Sequence, residues 1–193
     1  MNVSVSLRDL TRSFGDLTAV DGLSFDVGRG ELFGIVGPDG AGKTTTLRML
    51  AGVLRPTSGT AVLEGVDVAE DPEGAKLHLA YMAQRFGLYE DLTVAENLAF
   101  PLHAGSMTKV EIEARVTEVA GKLALDDVLH RLPGVLAEGE KQRVAVARAI
   151  VRDPNCFLFD EPLSRLDVEL RMAMRGQIKE ILSGLSKATV IVT

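Results

Sequence analysis

An α/β fold, with a mostly parallel sheet flanked by helices, is predicted by three observations in the sequence. A glycine-rich turn, Gly37-Pro38-Asp39-Gly40-Ala41-Gly42-Lys43-Thr44, joins an apolar run to a helix-like segment and fits G-x-x-x-x-G-K-[ST]. A second apolar run, Cys156-Phe157-Leu158-Phe159, ends in the carboxylates Asp160 and Glu161. Between them, helical signals dominate from Thr93 to Arg152, which places a helical lobe inside the sheet-forming sequence.

Taken in order, Val3 to Leu7 and Leu17 to Val27 alternate or run apolar as strands do. Leu32 to Val36 has the short, bounded apolar character of a buried strand, and Thr44 to Leu50 continues with good helix formers. Thr60 to Gly65 and the pair Tyr81-Met82 give two more short strands. Thr93 opens one helical segment, and Ser106-Met107-Thr108 precedes another over Lys109 to Leu125. Val168 to Leu185 carries Met174, Ile178, Ile181, Leu182 and Leu185 at helix-face spacing, a core-facing stripe, and Thr189 to Thr193 is a last apolar strand. Lys141, Arg148 and Arg152 share a helical face that reads as solvated. Neither an internal repeat nor a low-complexity tract is present.

The turn has the chemistry of a phosphate cradle. Glycines there let successive N–H groups converge on phosphate oxygens, and the helix that opens near Gly42 adds its positive end. Lys43 supplies a mobile charge for the outer phosphates, and the Thr44 hydroxyl can ligand magnesium. The alternative is a glycine-rich turn followed by a surface lysine. The acidic pair would deliver Asp160 to hold the metal and Glu161 to face the γ-phosphate as base or water-orienting group. Its alternative is a strand ending in a solvated acidic turn before Pro162.

Together these residues resemble the ATP-binding subunits of ABC transporters, over nearly the whole chain. The resemblance implies a P-loop NTPase of RecA-like architecture with an N-terminal antiparallel β lobe and an inserted α-helical lobe: one ATP-binding domain over residues 1–193, with a nucleotide-binding core at 1–87 and 153–193 and a helical lobe at about 88–152. It implies that Gly37, Pro38, Asp39, Gly40, Ala41, Gly42, Lys43, Thr44 and Thr45 bind ATP and that Thr44, Gln84 and Asp160 serve Mg2+. Met82-Ala83-Gln84-Arg85-Phe86-Gly87-Leu88-Tyr89 resembles the Q-loop, so that Gln84 senses metal, water and membrane partner. Glu161, Gln84 and Lys43 are then the catalytic set. Ser13-Phe14-Gly15 is similar to the A-loop, with Phe14 stacking on adenine, although a lone phenylalanine is also an ordinary core residue. Ser164-Arg165-Leu166-Asp167 resembles the D-loop, which puts Asp167 at a dimer seam; Asp167 could also cap the helix from Val168, and the two roles are compatible. Gln142 to Ala149 resembles the helix after the signature motif.

The signature itself departs from the family. L-S-G-G-Q is replaced by Leu136-Ala137-Glu138-Gly139-Glu140, so the hydroxyl is gone, an acid is added, and Gly139 is the retained seam residue. This favours an asymmetric pairing with a second ATP-binding subunit that carries an intact signature. The strand Thr189–Thr193 resembles the one that leads to the switch histidine, and His78, His103 and His130 do not match that position, so the sequence reads as an ATPase truncated before it. Transmembrane permease subunits are implied as partners, with the chain peripheral at the cytoplasmic face of the membrane. Gly37 to Phe100 looks more like multidrug-type exporters and Val144 to Leu182 more like sugar and polyol importers, which leaves cargo and direction open. Two other readings of the residues are a P-loop phosphotransferase with a helical lid and a nucleotide-sensing subunit without turnover.

Composition sets outer bounds. The 193 residues suffice for one substantial core, and 21 Lys and Arg against 27 Asp and Glu give a net charge of -6, which argues against nucleic acid as the main partner. A single cysteine, Cys156, cannot form an internal disulfide and reads as a small core residue suited to a reducing cytosol. No apolar run approaches the length of about 18 residues expected of a membrane span, and no secretory signal opens the sequence.

Overall fold

The computed structural model describes residues 3–84, 87–162, 176 and 184–193. They belong to two compact units: Met1–Tyr81 with Pro154–Pro162 and Leu182–Thr193, and Met82–Asp153 with Leu163–Ile181. The first unit contains β1 (Val3–Phe14), β2 (Leu17–Gly28), β3 (Leu32–Ile35), α1 (Lys43–Leu50), β4 (Ser58–Leu63), β5 (Val66–Asp67), α2 (Pro72–Leu77), β6 (Leu79–Met82), β7 (Cys156–Asp160) and β8 (Ala188–Val192). β6 runs one residue across the division between the units.

Two four-stranded sheets organise it. An antiparallel sheet has the order β2-β1-β4-β5, and a second has the order β3-β8-β7-β6, in which β3, β8 and β7 run parallel. β1 is longer than its apolar pattern suggests. Asp9 takes φ 48, the register shifts between Leu7 and Leu10, and the strand resumes through Arg12 to Phe14. Such a bulge hides a strand from a period-2 reading because the polar residues Arg8, Asp9, Thr11 and Arg12 fall out of alternation around Leu10. β4 accommodates it with Gly59, where a Cβ would lie 2.2 Å from the Asp9 carbonyl oxygen.

The core of this unit joins Val5, Leu7 and Leu10 of β1, Leu47 and Leu50 of α1, Leu63 of β4, Cys156 and Leu158 of β7, and Val190 and Val192 of β8. Leu47 and Leu50 lie three apart on α1, so one helix face is fixed against the sheets while its N-terminus stays free for another task. β7 is buried at every position, as expected of a central parallel strand covered on both faces. That burial pushes the Cys156 thiol up to about 12, where it stays a protonated core side chain.

In the parallel sheet Ile35, Val192 and Asp160 stand level on three adjacent strands. The strand before the glycine-rich turn and the acidic strand are therefore two strand spacings apart, about 10 Å, with β8 between them. A side chain from α1 must span this gap if turn and acids are to meet.

The second unit contains α3 (Val94–Ala99), α4 (Lys109–Lys122) and α5 (Glu138–Ile150). Thr93 and Thr108 begin α3 and α4 with capping boxes closed by Glu96 and Glu111, which matches the predicted helix starts. α4 was expected to reach Leu125 but ends at Lys122, because Ala124 turns at φ 50 and Leu123 and Leu125 are both drawn into the core. Fully buried Asn97 donates to the carbonyls of Tyr89, Leu92 and Thr93 and accepts from the Tyr89 N–H, riveting the loop before α3. The predicted residues Ser164 and Asp167 and most of the stripe on 168–185 lie outside the described residues; Gly176, Gly184 and Leu185 are helical.

Candidate functional site

The turn after β3 folds as a cradle at the head of α1. Gly40 and Gly42 take φ 80 and φ 81, a region open to glycine and strained for other residues. Gly42 is also sterically obligatory, since a Cβ there would sit 2.1 Å from the Ala19 carbonyl oxygen of β2. Gly42 is the N-cap, its carbonyl accepts the first helical N–H from Thr46 at 2.9 Å, and no side chain caps the preceding donors. Those N–H groups are left for a ligand, where the helix dipole favours an anion. The Lys43 ammonium folds back onto the carbonyls of Gly37 (2.7 Å) and Pro38 (3.0 Å), so two of its three donors stiffen the turn.

The acidic strand meets this cradle directly. The Thr44 hydroxyl donates to Asp160 Oδ1 at 2.9 Å across 116 residues of sequence, crossing over β8 as the sheet order requires. Asp160 is 1% exposed, and its other oxygen, Oδ2, accepts from the Tyr81 hydroxyl at 3.3 Å. Glu161 leaves the strand with φ 48 while its N–H donates to the Val192 carbonyl at 3.1 Å. A left-handed backbone at a glutamate costs on the order of 1 kcal/mol and turns its side chain away from the strand direction.

Glu161 lines the same hollow as Asp39, Gly40, Ala41, Gly42, Lys43, Thr44, Thr45 and Ala19. Its volume of about 160 Å³ is below the range of roughly 300 Å³ and upward that encloses a whole drug-sized ligand. The hollow suits a phosphate tail, with the rest of a nucleotide lying along the surface. Phe14 offers such a surface: it is 47% exposed, and the Arg12 guanidinium covers one face of its ring at 4.5 Å from the centroid. Phe14 pairs with Leu17, two residues from Ala19 at the hollow, a separation of about 7 Å along the strand.

The donor set fits a hard divalent cation. A hydroxyl and a carboxylate converge beside the cradle at the head of α1. Mg2+ is commonly held in this way, by one or two protein oxygens with substrate phosphates and water completing the shell.

The first unit thus brings together the predicted residues from Gly37 to Thr45 with Asp160 and Glu161. Gln84 and Gly139 belong to the second unit, Gln84 exposed two residues beyond β6 and Gly139 buried in the first turn of α5. Ala137 occupies the N-cap of α5 without a side-chain acceptor, so only the returning half of a capping box forms, the Ala137 N–H donating to Glu140 at 2.7 Å. Restoring the hydroxyl with Ala137→Ser is expected to add about 1 kcal/mol of stability, a rise in Tm of a few degrees measurable by thermal unfolding.

Arg148 corrects the expectation of a solvated basic face. Its Nη1 donates to the Gly87 carbonyl at 2.8 Å, its guanidinium lies 5.6 Å from the Tyr89 ring, and burial pushes its pKa down. Neither this tie nor the Tyr81 and Arg12 contacts is visible as a motif, because each joins side chains whose neighbourhood depends on the fold.

A family model described as ABC transporter matches residues 20–164. An uncharacterized ABC transporter ATP-binding protein of Sinorhizobium fredii is 46% identical over 189 residues, 98% of this chain and 51% of its own length. The trehalose/maltose import ATP-binding protein MalK of Thermococcus litoralis is 43% identical over 98% of this chain and 52% of its own length. The chain spans about half the length of these curated relatives. Among solved structures, a dimeric ATP-binding cassette in a post-hydrolysis state with ADP and Pi superposes with a TM-score of 0.85 at 27% identity, covering 98% of this chain and 87% of that one.

Proposed function

The chain belongs to the ABC transporter family, and from that membership we propose that it binds and hydrolyses ATP to drive substrate movement through a partner permease. One contact supports this reading most: the Thr44 hydroxyl on Asp160, which joins the phosphate turn to the acidic strand and sets Glu161 beside the same hollow. In this reading the amides of residues 39–45 and Lys43 hold the β- and γ-phosphates, Gly37 and Pro38 shape the turn, and Phe14 stacks on adenine. Thr44, Asp160 and Gln84 would serve Mg2+, which when bound neutralises developing charge on the phosphates.

Hydrolysis then follows from position and electrostatics. A water directed at the γ-phosphorus gives up a proton toward the Glu161 carboxylate as its oxygen bonds phosphorus and the bond to the β-phosphate oxygen breaks. Lys43 moves from loop carbonyls onto the phosphates and lowers the cost of the charge that develops.

Residues 1–193 would act as one ATP-binding domain working against a second ATP-binding subunit, with Gly139 and Asp167 at the seam. We infer an asymmetric pair. Ala137 lacks the hydroxyl that would reach across to a γ-phosphate, and the exposed Glu138 sets a negative charge at the same helix end. On the second unit, Tyr89 and Phe100 are 45% and 50% exposed with ring centroids 4.6 Å apart, an aromatic surface suited to permease helices. Similarity to an import subunit favours import, with the cargo chosen by the permease. Among the described residues no helix is long and apolar enough to cross a membrane, so the permease would tether the chain peripherally, at the cytoplasmic face.

The test is nucleotide binding and turnover in the assembled transporter. Lys43→Ala is expected to weaken ATP binding by about ten- to a hundredfold in equilibrium titration, the value of one charge-assisted phosphate contact. Unchanged ATP affinity in that variant would rule out the cradle as the phosphate site.

A further inference from the structure

We propose that Tyr81 is a positioning residue for the metal site, fixing the rotation of the Asp160 carboxylate so that Oδ1 faces the Thr44 side of the hollow. The inference rests on the reading of that hollow as the Mg2+ and phosphate site. Tyr81 lies outside the phosphate turn, the acidic strand and the Q-loop glutamine, on β6 at the far side of β7 from β8.

An aspartate held through one oxygen turns readily about its terminal torsion, whose wells are broad and two-fold. Asp160 is held through both. Thr44 takes Oδ1 at 2.9 Å, and the Tyr81 hydroxyl takes Oδ2 at 3.3 Å, the longer and weaker of the two. With Oδ1 given over to a metal, the phenol would remain the carboxylate's protein anchor of these two.

The phenol is suited to that task because it stays a donor. The Arg48 guanidinium approaches the same hydroxyl. Arg48 lies four residues after Thr44 on α1, one turn along the same face, so the phosphate-binding helix brackets the carboxylate twice. One contact is direct, through Thr44, and the other passes through Tyr81. Outer contacts of this kind tune metal sites by about ten- to a hundredfold. The length of the Tyr81 bond argues for the lower end.

The experiment compares the full-length subunit with its Tyr81→Phe variant, which keeps the ring in the core. Mn2+ binding in the presence of ATP is followed by electron paramagnetic resonance in a Glu161→Gln background, and ATP binding without metal is measured in EDTA. Tyr81→Phe is expected to weaken Mn2+ about tenfold while ATP affinity in EDTA and Tm stay within error. Mn2+ affinity within twofold of the parent overturns the proposal. An equal loss of ATP binding in EDTA also overturns it, since the ring would then be shaping the cradle. Should the parent protein itself bind no ATP, the failure belongs to the site reading beneath the proposal.

Discussion

Glu161→Gln is expected to leave ATP bound and to cut steady-state turnover by about a hundredfold or more, the usual contribution of a positioned base. Glutamine has nearly the same shape and can fill the same wall of the hollow, but it cannot accept a proton. The backbone of residue 161 is fixed independently of the side chain by its N–H on the Val192 carbonyl, so the substitution leaves the turn after β7 in place. Losing a negative charge beside the phosphates also removes a repulsion, so ATP affinity should hold or rise. Phosphate release in the assembled transporter, read beside equilibrium nucleotide binding, separates the outcomes. Unimpaired turnover would assign the base to another group. Loss of binding would mean that Glu161 builds the site without acting in it. Phosphate appearing on an added acceptor would instead favour a phosphotransferase.

The sequence discloses features whose cause is local. The turn after β3 needs glycine at positive φ, and Gly40 and Gly42 have it; a strand covered on both faces reads as a continuous apolar run, and β7 does up to Asp160. Thr93 and Thr108 announce their helices because a capping box is complete within four residues. What stayed hidden depends on partners far along the chain. Tyr81 meets Asp160 over 79 residues and Arg148 meets Gly87 over 61, and no periodicity encodes either pairing. α2 escaped for another reason. It has six residues, buries Ala75 alone, and leaves Leu77 72% exposed, so it shows no apolar stripe. β5 has two residues, too few to alternate.

Gly42→Ala should disturb the glycine-rich turn more than a methyl group added at Gly37 or Gly40. At φ 81 an alanine already bears on the order of 1 to 2 kcal/mol of backbone strain. Its Cβ would also lie 2.1 Å from the Ala19 carbonyl oxygen and 3.0 Å from Val20 Cγ2, and the first of these is backbone that no rotamer change can clear. Either the head of α1 or the strand β2 has to move. Moving α1 scatters the amides of the cradle and draws Thr44 from Asp160; moving β2 shifts the hairpin that carries Phe14, because Arg12 is paired with Val20 and Phe14 with Leu17. Both responses separate the surface proposed for the base from the hollow proposed for the phosphates. ATP affinity is therefore expected to fall by more than a hundredfold, with a lowered Tm in thermal unfolding without nucleotide. Gly40→Ala isolates the strain. Gly40 has nearly the same φ, 80, yet nothing lies within 4 Å of its Cβ position. That variant should lose about 1 to 2 kcal/mol of stability and retain most of its binding. Equal losses in the two variants would show that backbone strain alone governs the turn and that its closeness to β2 is incidental.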